Sequence, residues 1–138
     1  MKKTGFVILF IFLFGCNNGP TPIQYGMEVC HFCKMTIVDN RFAAQVVTSK
    51  GKNFKFDSTE CMIDYLRENS FPDMSHILVS SFDEPGTLIN AMDAFFLISE
   101  NLSSPMGGGI TAFPNQFKAE EYQEKFSGEI LTWEKIIK

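Results

Sequence analysis

The 138-residue chain lacks the motifs by which most enzymes are recognised. It has no nucleophile elbow, no Ser/His/Asp order and no nucleotide-binding motif. The glycines at positions 107–109 are not followed by the lysine and helix start that a phosphate-binding loop needs. Asp57, Glu60 and Asp64 lie close in sequence, but nothing nearby supplies a nucleophile, and we interpret them as the capped, solvated start of a helix. These absences argue against an enzyme.

The chain also lacks a long hydrophobic run. Its main apolar run, residues 5–15, is too short to cross a bilayer as a mature helix, which takes about 20 residues. The run follows Lys2 and Lys3 and has the length of a signal-peptide core. Leu13-Phe14-Gly15-Cys16 then resembles a bacterial lipobox, in which the cysteine is lipidated and becomes the first mature residue. An uncleaved anchor and an ordinary secretory signal are the alternatives.

The lipobox predicts how the N-terminal part is organised. Residues 1–15 are expected to be a signal peptide, and residues 16–27 the lipidated N-terminus with a Pro- and Gly-containing flexible tether. Acyl chains on Cys16 would hold the protein on a membrane, since each buried methylene contributes about 0.8 kcal/mol. By resemblance to the enterobacterial sorting rule, Asn17 favours the outer over the inner membrane. The expected location is the bacterial cell envelope, facing the periplasm.

Basic residues are in the minority. The net charge is −4, and loss of Lys2 and Lys3 with the signal peptide makes the mature chain still more acidic. An acidic domain is not suited to binding nucleic acid or an anionic membrane surface. The mature part, roughly 110 residues, is enough for one compact domain.

The mature part repeats one order of elements, strand–strand–helix–strand. Asp57 or Ser58 can cap a helix that runs to about Asn69, and Asn115 can cap a second helix from about Gln116 to Phe126. The strands are recognised by alternating or β-branched residues between turn signals. They are predicted at residues 41–48, 53–57, 76–82, 94–99, 110–113 and 130–133. Residues 88–92 fit either a short helix or a strand extension.

The repeat extends to single residues. Phe56 precedes Tyr65 by nine residues, and Phe113 precedes Tyr122 by nine. Each half alone is too small for a good core, so the halves should pack together. We therefore predict an α+β fold in which two repeated ββαβ units, residues 28–85 and 86–138, form one small domain.

Cysteines are few, and their number is informative. With Cys16 acylated, three remain, and an odd number in an exported protein leaves at least one thiol unpaired. Cys30 and Cys33 have C-x-x-C spacing, which suits a redox disulfide, half of a zinc site, a soft-metal chelate or a small local disulfide. No strand precedes the motif, which disfavours a thioredoxin-like arrangement.

Methionine next to this motif favours Cu(I). In an extended segment, residues two apart point to the same side, so Cys33 and Met35 would converge on one ion. Zinc uses a thioether poorly, whereas Cu(I) accepts it well. Core filling is the alternative for Met35. Cys61 lies in the first turn of the predicted helix, where the macrodipole should lower its pKa and make it a third ligand, if it is not simply a small buried hydrophobe.

A second methionine, Met106, stands between Pro105 and three glycines. Such a segment offers little packing, so Met106 is a further candidate ligand. A zinc site would instead need four ligands, such as Cys30, Cys33 and Cys61 with His31 or His76. The chain has no second C-x-x-C and no H-x-x-x-H, and its two histidines are weak candidates.

Taken together, these residues resemble the NosL family, the lipoprotein copper chaperones of nitrous oxide reductase maturation. The matching pieces follow the family's order along nearly all of the mature chain. They are the lipobox at Cys16, Cys33-Lys34-Met35, the Phe56-Asp57-Ser58-Thr59-Glu60-Cys61-Met62 stretch, and Asp93-Ala94 through Pro105-Met106-Gly107 to Ala112-Phe113.

The resemblance implies a duplicated ββαβ fold and delivery of Cu(I) to nitrous oxide reductase and its assembly machinery. Cys33 and Met35 match the family's Cys-x-Met, and Met106 matches its Pro-Met-Gly loop. Cys30 is an extra cysteine relative to many members and adds a thiol or a disulfide partner for Cys33. Lys34 stands where the family often has a small residue, commonly glycine.

The sequence therefore predicts a non-enzymatic, membrane-tethered Cu(I) chaperone. Cys33 and Met35 would hold the ion, with Met106 and Cys30 or Cys61 completing a low coordination number. A thiol–disulfide oxidoreductase using Cys30 and Cys33 is one rival. A structural zinc lipoprotein that acts as a docking module is the other.

Overall fold

The structure is a computed structural model, and it describes residues 18–69 and 73–138. The predicted signal peptide and the predicted lipidation site, Cys16, lie outside the described residues. Within the described ranges, every helix is too short or too polar to cross a membrane.

The chain forms seven strands and three helices in the described ranges, together with one short 3-10 turn at Ala91–Asp93. This mixture confirms the predicted α+β class. The elements are β1 Ala44–Thr48, β2 Asn53–Phe56, α1 Thr59–Glu68, β3 Met74–Ser80, β4 Leu88–Asn90, β5 Phe95–Ile98, β6 Ile110–Phe113, α2 Gln116–Phe126, β7 Glu129–Thr132 and α3 Trp133–Ile136.

Two antiparallel sheets carry the repeat. The first has strand order β2-β1-β3-β4 and the second β6-β5-β7, so the central strand of each unit pairs with the next strand on one side and the post-helix strand on the other. Residues 88–92, for which the sequence fitted two alternatives, contain both. β4 extends the first sheet, and the 3-10 turn follows it. A parallel bridge between Ser81 and Ala112 joins the two sheets.

The nine-residue spacing corresponds to the same contact in both units. The ring centroids of Phe56 and Tyr65 lie 5.2 Å apart, and those of Phe113 and Tyr122 lie 4.8 Å apart. In each unit a strand ends on the phenylalanine, and the helix then brings the tyrosine back over it. The helix caps also match: Ser58 accepts from the backbone N–H of Cys61, and Asn115 accepts from that of Lys118.

The two units share one core. Its main cluster joins Val46 and Phe56 of the first unit to Phe96 and Ala112 of the second. A smaller cluster around Leu97 and Phe113 lies under α2. A common core explains how two units of about 50 residues can be stable together, because neither would bury enough apolar surface alone.

The segment predicted as a flexible tether is fastened to the first sheet. The amide of Asn53 bonds to Gly19 O and accepts from Thr21 N, and Gln45 Nε2 donates to Thr21 O. Lys55 Nζ donates to Pro22 O at 2.7 Å. From Gly19 onward the chain is therefore part of the folded unit, because polar side chains of β1 and β2 satisfy its backbone.

The end of α2 provides a test of the packing. Gly128 has a φ of +114°, and a β-carbon there would lie 2.2 Å from Ile98 O. Gly128→Ala is expected to lower the free energy of unfolding by about 3 kcal/mol, because backbone strain and overpacking combine. Gly26→Ala, with a φ of +79° but no described atom within 4 Å, should cost about 1 kcal/mol. Urea denaturation measures both, and equal losses would contradict the close packing at Ile98.

Candidate metal site

The C-x-x-C motif lies at the tip of a short two-stranded ribbon, residues 26–37, which we name the Cys ribbon. An antiparallel bridge pairs Val29 with Thr36, and Cys30 N donates to Met35 O at 2.8 Å. The tip is fixed to β2, since His31 N donates to Lys55 O at 2.8 Å. An ion pair between Lys55 and Glu28, 2.7 Å long, adds a second attachment. The attachment to β2 therefore fixes the position of the ribbon and of its two cysteines.

The backbone reverses directly after Cys33. Lys34 has a φ of +67°, in the left-handed region, and its N–H donates to Cys30 O. The prediction that Cys33, Lys34 and Met35 form an extended segment is therefore wrong, because the ribbon needs this reversal to return to its second strand. The left-handed conformation suits glycine, which agrees with the small residue that the family resemblance implied at this position.

The second half of the site comes from the junction of β2 and α1. Ser58, not Asp57, is the N-cap, and its hydroxyl accepts from Cys61 N at 3.2 Å. This cap places Cys61 in the first turn of the helix, facing the core, where it is only 1% exposed. Asp57 immediately precedes the cap and is 2% exposed. One tight junction therefore directs a thiol and a carboxylate inward.

The two halves meet in a cluster of four potential ligands. The sulfurs of Cys30, Cys33 and Cys61 and a carboxylate oxygen of Asp57 all lie within 4.8 Å of one another. Cys30 and Cys61 are buried, whereas Cys33 is partly exposed, and all three are free thiols. We name these residues the thiol cluster. Two of its thiols are therefore closed off from solvent, whereas the third, Cys33, can be reached by solvent or by a partner.

Cys30 is the most acidic thiol of the cluster. The Cys61 thiol donates to its sulfur and is the main reason that the pKa of Cys30 falls to about 6. Burial opposes this effect, but backbone N–H groups of Asp57, Cys33 and Phe32 also point at the sulfur and lower its pKa. A thiolate is the form that binds metals, so Cys30 is prepared to bind at neutral pH.

The other two thiols hold their protons more strongly. The hydrogen bond to Cys30 raises the pKa of Cys61 well above its ordinary value, and burial and nearby Asp57 add to this effect. The prediction that the helix dipole would lower the pKa of Cys61 is therefore wrong, because a neighbouring thiolate outweighs the dipole. Burial raises the pKa of Cys33, partly offset by the N–H of Met35.

Asp57 is the site residue that the sequence interpretation missed. It was assigned to a solvated helix start, but both of its carboxylate oxygens are buried and lack a hydrogen-bond partner in the described ranges. An uncompensated buried carboxylate is costly unless a cation or a donor reaches it. The available signal was its position directly after the buried end of β2, which leaves Ser58 to cap the helix.

The two histidines lie outside the thiol cluster. The His31 ring packs against Phe54 and Tyr65, with centroid distances of 4.7 and 5.1 Å. His76 is exposed on β3, where a ring nitrogen lies 3.1 Å from the Ser75 hydroxyl. The structure therefore does not bring a histidine into the thiol cluster, and Asp57 is its fourth potential ligand.

Both candidate methionine ligands are at the surface. Met35 is 52% exposed on the Cys ribbon, two residues after Cys33. Met106 is 45% exposed in the glycine-rich loop between β5 and β6, so neither side chain fills the core. Met62, beside Cys61, is fully buried and belongs to the core.

The donor set suits a soft cation. Three thiols within 4.8 Å of one another can coordinate one ion, and thiolates favour Cu(I) and zinc over hard cations. The C-x-x-C motif sits in a ribbon turn and not at a helix N-terminus, so it lacks the setting of thioredoxin-like oxidoreductases. The arrangement therefore favours metal binding over thiol–disulfide exchange.

Comparisons with known proteins agree with this interpretation. The sequence model of the NosL family matches residues 22–138. The chain is also similar to the crystal structure of the copper chaperone NosL from Shewanella denitrificans, with a TM-score of 0.71 and 22% sequence identity. The match covers 84% of this chain and 96% of that one. No curated protein sequence matches the chain.

Proposed function

Because the chain belongs to the NosL family, we propose that it binds Cu(I) in the thiol cluster and passes the ion to a partner protein. The similar solved structure is that of a copper chaperone, and we propose the same non-enzymatic role for this chain, as the sequence predicted. Copper is here the cargo of the protein.

The observation that carries the proposal is the convergence of three sulfurs within 4.8 Å. Cu(I) is stable with a small number of sulfur ligands, so Cys30, Cys33 and Cys61 can form the base of its site, and we include the exposed thioethers of Met35 and Met106 as further ligands. Two of these thiols are buried, which shields the ion from water. Cys30 is already acidic enough to provide the first thiolate at neutral pH.

The exposed side of the cluster is suited to exchange. Cys33 is partly exposed and Met35 is half exposed on the same ribbon, so an incoming thiol or thioether can reach an ion held there. A partner would bind the ion before Cys33 releases it, and the ion would never be free in water. Met106 is proposed as a further surface ligand of the bound ion.

We also propose the setting that the sequence predicted. Lipidation of Cys16 would tether the chaperone to the cell envelope, facing the periplasm, and nitrous oxide reductase with its assembly machinery would receive the copper. The acidic charge of the chain agrees with a protein partner and not with nucleic acid.

The metal assignment is tested by anaerobic titration of the reduced chain with Cu(I) against a chromogenic chelator. Cys33→Ser and Met35→Leu are each expected to weaken Cu(I) binding by about tenfold or more, since each removes a sulfur donor. Met27→Leu removes an exposed methionine from the same ribbon and should leave the affinity unchanged. If Cys33→Ser and Met35→Leu both match the wild type, the site is wrong.

The client is tested separately by mixing the Cu(I)-loaded chain with copper-depleted nitrous oxide reductase. The expected result is copper transfer that restores the absorption of the enzyme's copper centres. Cys33→Ser should slow this transfer. Transfer at the rate of free Cu(I)–chelator complex would contradict a carrier role for this client.

Zinc is the second candidate, and Asp57 is the observation that favours it. Three thiolates and one carboxylate make a four-coordinate set that zinc accepts, whereas Cu(I) has little use for a carboxylate. Asp57→Asn is therefore expected to weaken zinc binding by about tenfold or more and to change Cu(I) affinity by less than about threefold. Zinc that survives purification while copper uptake fails would favour the structural zinc reading over the chaperone.

A further inference from the structure

The loop that carries Met106, residues 104–109, is held in one shape by its own hydrogen bonds. Gly107 N donates to Ser104 O at 3.0 Å, and Gly109 N donates to the Ser104 hydroxyl oxygen at 2.9 Å. We name it the Met106 loop. Although it contains three glycines, it is a closed turn, so its position depends on what its base contacts.

The base of the loop contacts the first turn of α1. The Ser104 hydroxyl donates to the Glu60 carboxylate, and Ile110 N donates to the same oxygen at 3.4 Å. Glu60 directly precedes Cys61, a member of the thiol cluster. One carboxylate of the first unit therefore connects the methionine loop of the second unit to the helix turn that holds a thiol.

Gly108 adds a close fit to this contact. A β-carbon at this position would lie 2.8 Å from Glu60 Cγ and 2.9 Å from Glu60 Oε1. The absence of a side chain therefore lets the loop lie directly on the glutamate. Any larger residue would push the Glu60 side chain away from Ser104.

Only one of the two carboxylate oxygens of Glu60 is hydrogen-bonded in this contact. The second carboxylate oxygen of Glu60 is buried and lacks a hydrogen-bond partner in the described part of the chain. A buried charged oxygen without a donor offsets part of the gain from the other oxygen's bonds. Glu60 therefore positions the loop, but the contact is weaker than one in which both carboxylate oxygens are hydrogen-bonded.

We infer that Glu60 is a positioning residue that holds the Met106 loop against the start of α1 and thereby places the Met106 thioether for Cu(I) binding. This inference rests on the proposed function, because it requires Met106 to be a ligand. Glu60 does not touch the ion itself. Its effect should therefore pass entirely through Met106 and disappear when that thioether is removed.

The test is a double-mutant cycle on Cu(I) affinity in the full chain, measured against a chromogenic chelator. Glu60→Ala, Gly108→Ala and Met106→Leu are each expected to weaken binding by about tenfold. Combining Glu60→Ala with Met106→Leu should add nothing beyond Met106→Leu alone, because both changes remove the same interaction. Glu60→Gln keeps an acceptor oxygen for Ser104 and should stay within about threefold of the wild type.

Glu68→Ala is the matched control, since this exposed glutamate lies at the far end of the same helix and should leave the affinity unchanged. Additive losses in the double variant would overturn the inference, because Glu60 would then act on the thiol cluster or on the fold. No effect of Met106→Leu would also overturn it. In that case a retained loss for Cys33→Ser would still support the proposed function, so the two failures can be distinguished.

Discussion

Replacing Cys30 by serine is expected to weaken Cu(I) binding about 1000-fold, which corresponds to about 4 kcal/mol. Cys30 is the acidic thiol of the cluster, and its sulfur receives the Cys61 hydrogen bond and three backbone N–H groups. Its loss removes a ligand and also the thiolate that those donors stabilise. A serine hydroxyl is a hard, weakly acidic donor that does not replace it. Competition with a high-affinity chelator under anaerobic conditions measures the change.

The size of this effect distinguishes the role that the structure gives to Cys30 from the role that the sequence suggested. The family resemblance treats Cys30 as an extra cysteine, whereas the structure buries it within 4.8 Å of the other potential ligand atoms. Cys33→Ser, which removes the partly exposed thiol, should have the smaller effect. The prediction fails if Cys30→Ser binds Cu(I) as well as the Met27→Leu control.

Loading the protein with Cu(I) is expected to raise its free energy of unfolding by about 4 kcal/mol when the free ion is at about 1000 times Kd. The thiol cluster joins the Cys ribbon to the junction of β2 and α1, so the ion would connect two segments that are far apart in sequence. For a domain of this size the midpoint of thermal unfolding should rise by about 15 °C. Calorimetry of the metal-free and loaded chain measures the difference.

A variant with Ser at positions 30, 33 and 61 is the control for this experiment. It should show no rise with added Cu(I), because the ion then has no site specific to the folded chain. A similar rise in this variant would mean that the ion stabilises the protein elsewhere, and the thiol cluster would lose its support as the binding site.

The repeated element order could be predicted because its signals are local. The nine-residue spacing of Phe56 and Tyr65, repeated at Phe113 and Tyr122, reflects a strand, a cap and two turns of helix, which neighbouring residues determine. The bonds that fasten Gly19 and Thr21 to the first sheet could not be predicted in this way. They join residues about thirty positions apart and depend on how the strands pack.

The three cysteines of the thiol cluster could be predicted from the sequence, but their pKa values could not. Cys30, Cys33 and Cys61 were identified from their number and spacing, but the proton distribution among them depends on distances that only the fold determines. Asp57 was assigned as a surface residue because a carboxylate before a helix is usually solvated. Its burial follows from the choice of Ser58 as the cap, which the sequence left open.

The repeated order of elements has a consequence for which substitutions this chain can tolerate. The helix junction that supplies Asp57 and Cys61 in the first unit has Pro114 and Lys118 at the matching places of the second. The second copy thus keeps the shape of the first without its chemistry. Substitutions at the second junction should therefore be tolerated wherever the shared core survives, whereas substitutions at the first junction should also disturb the thiol cluster.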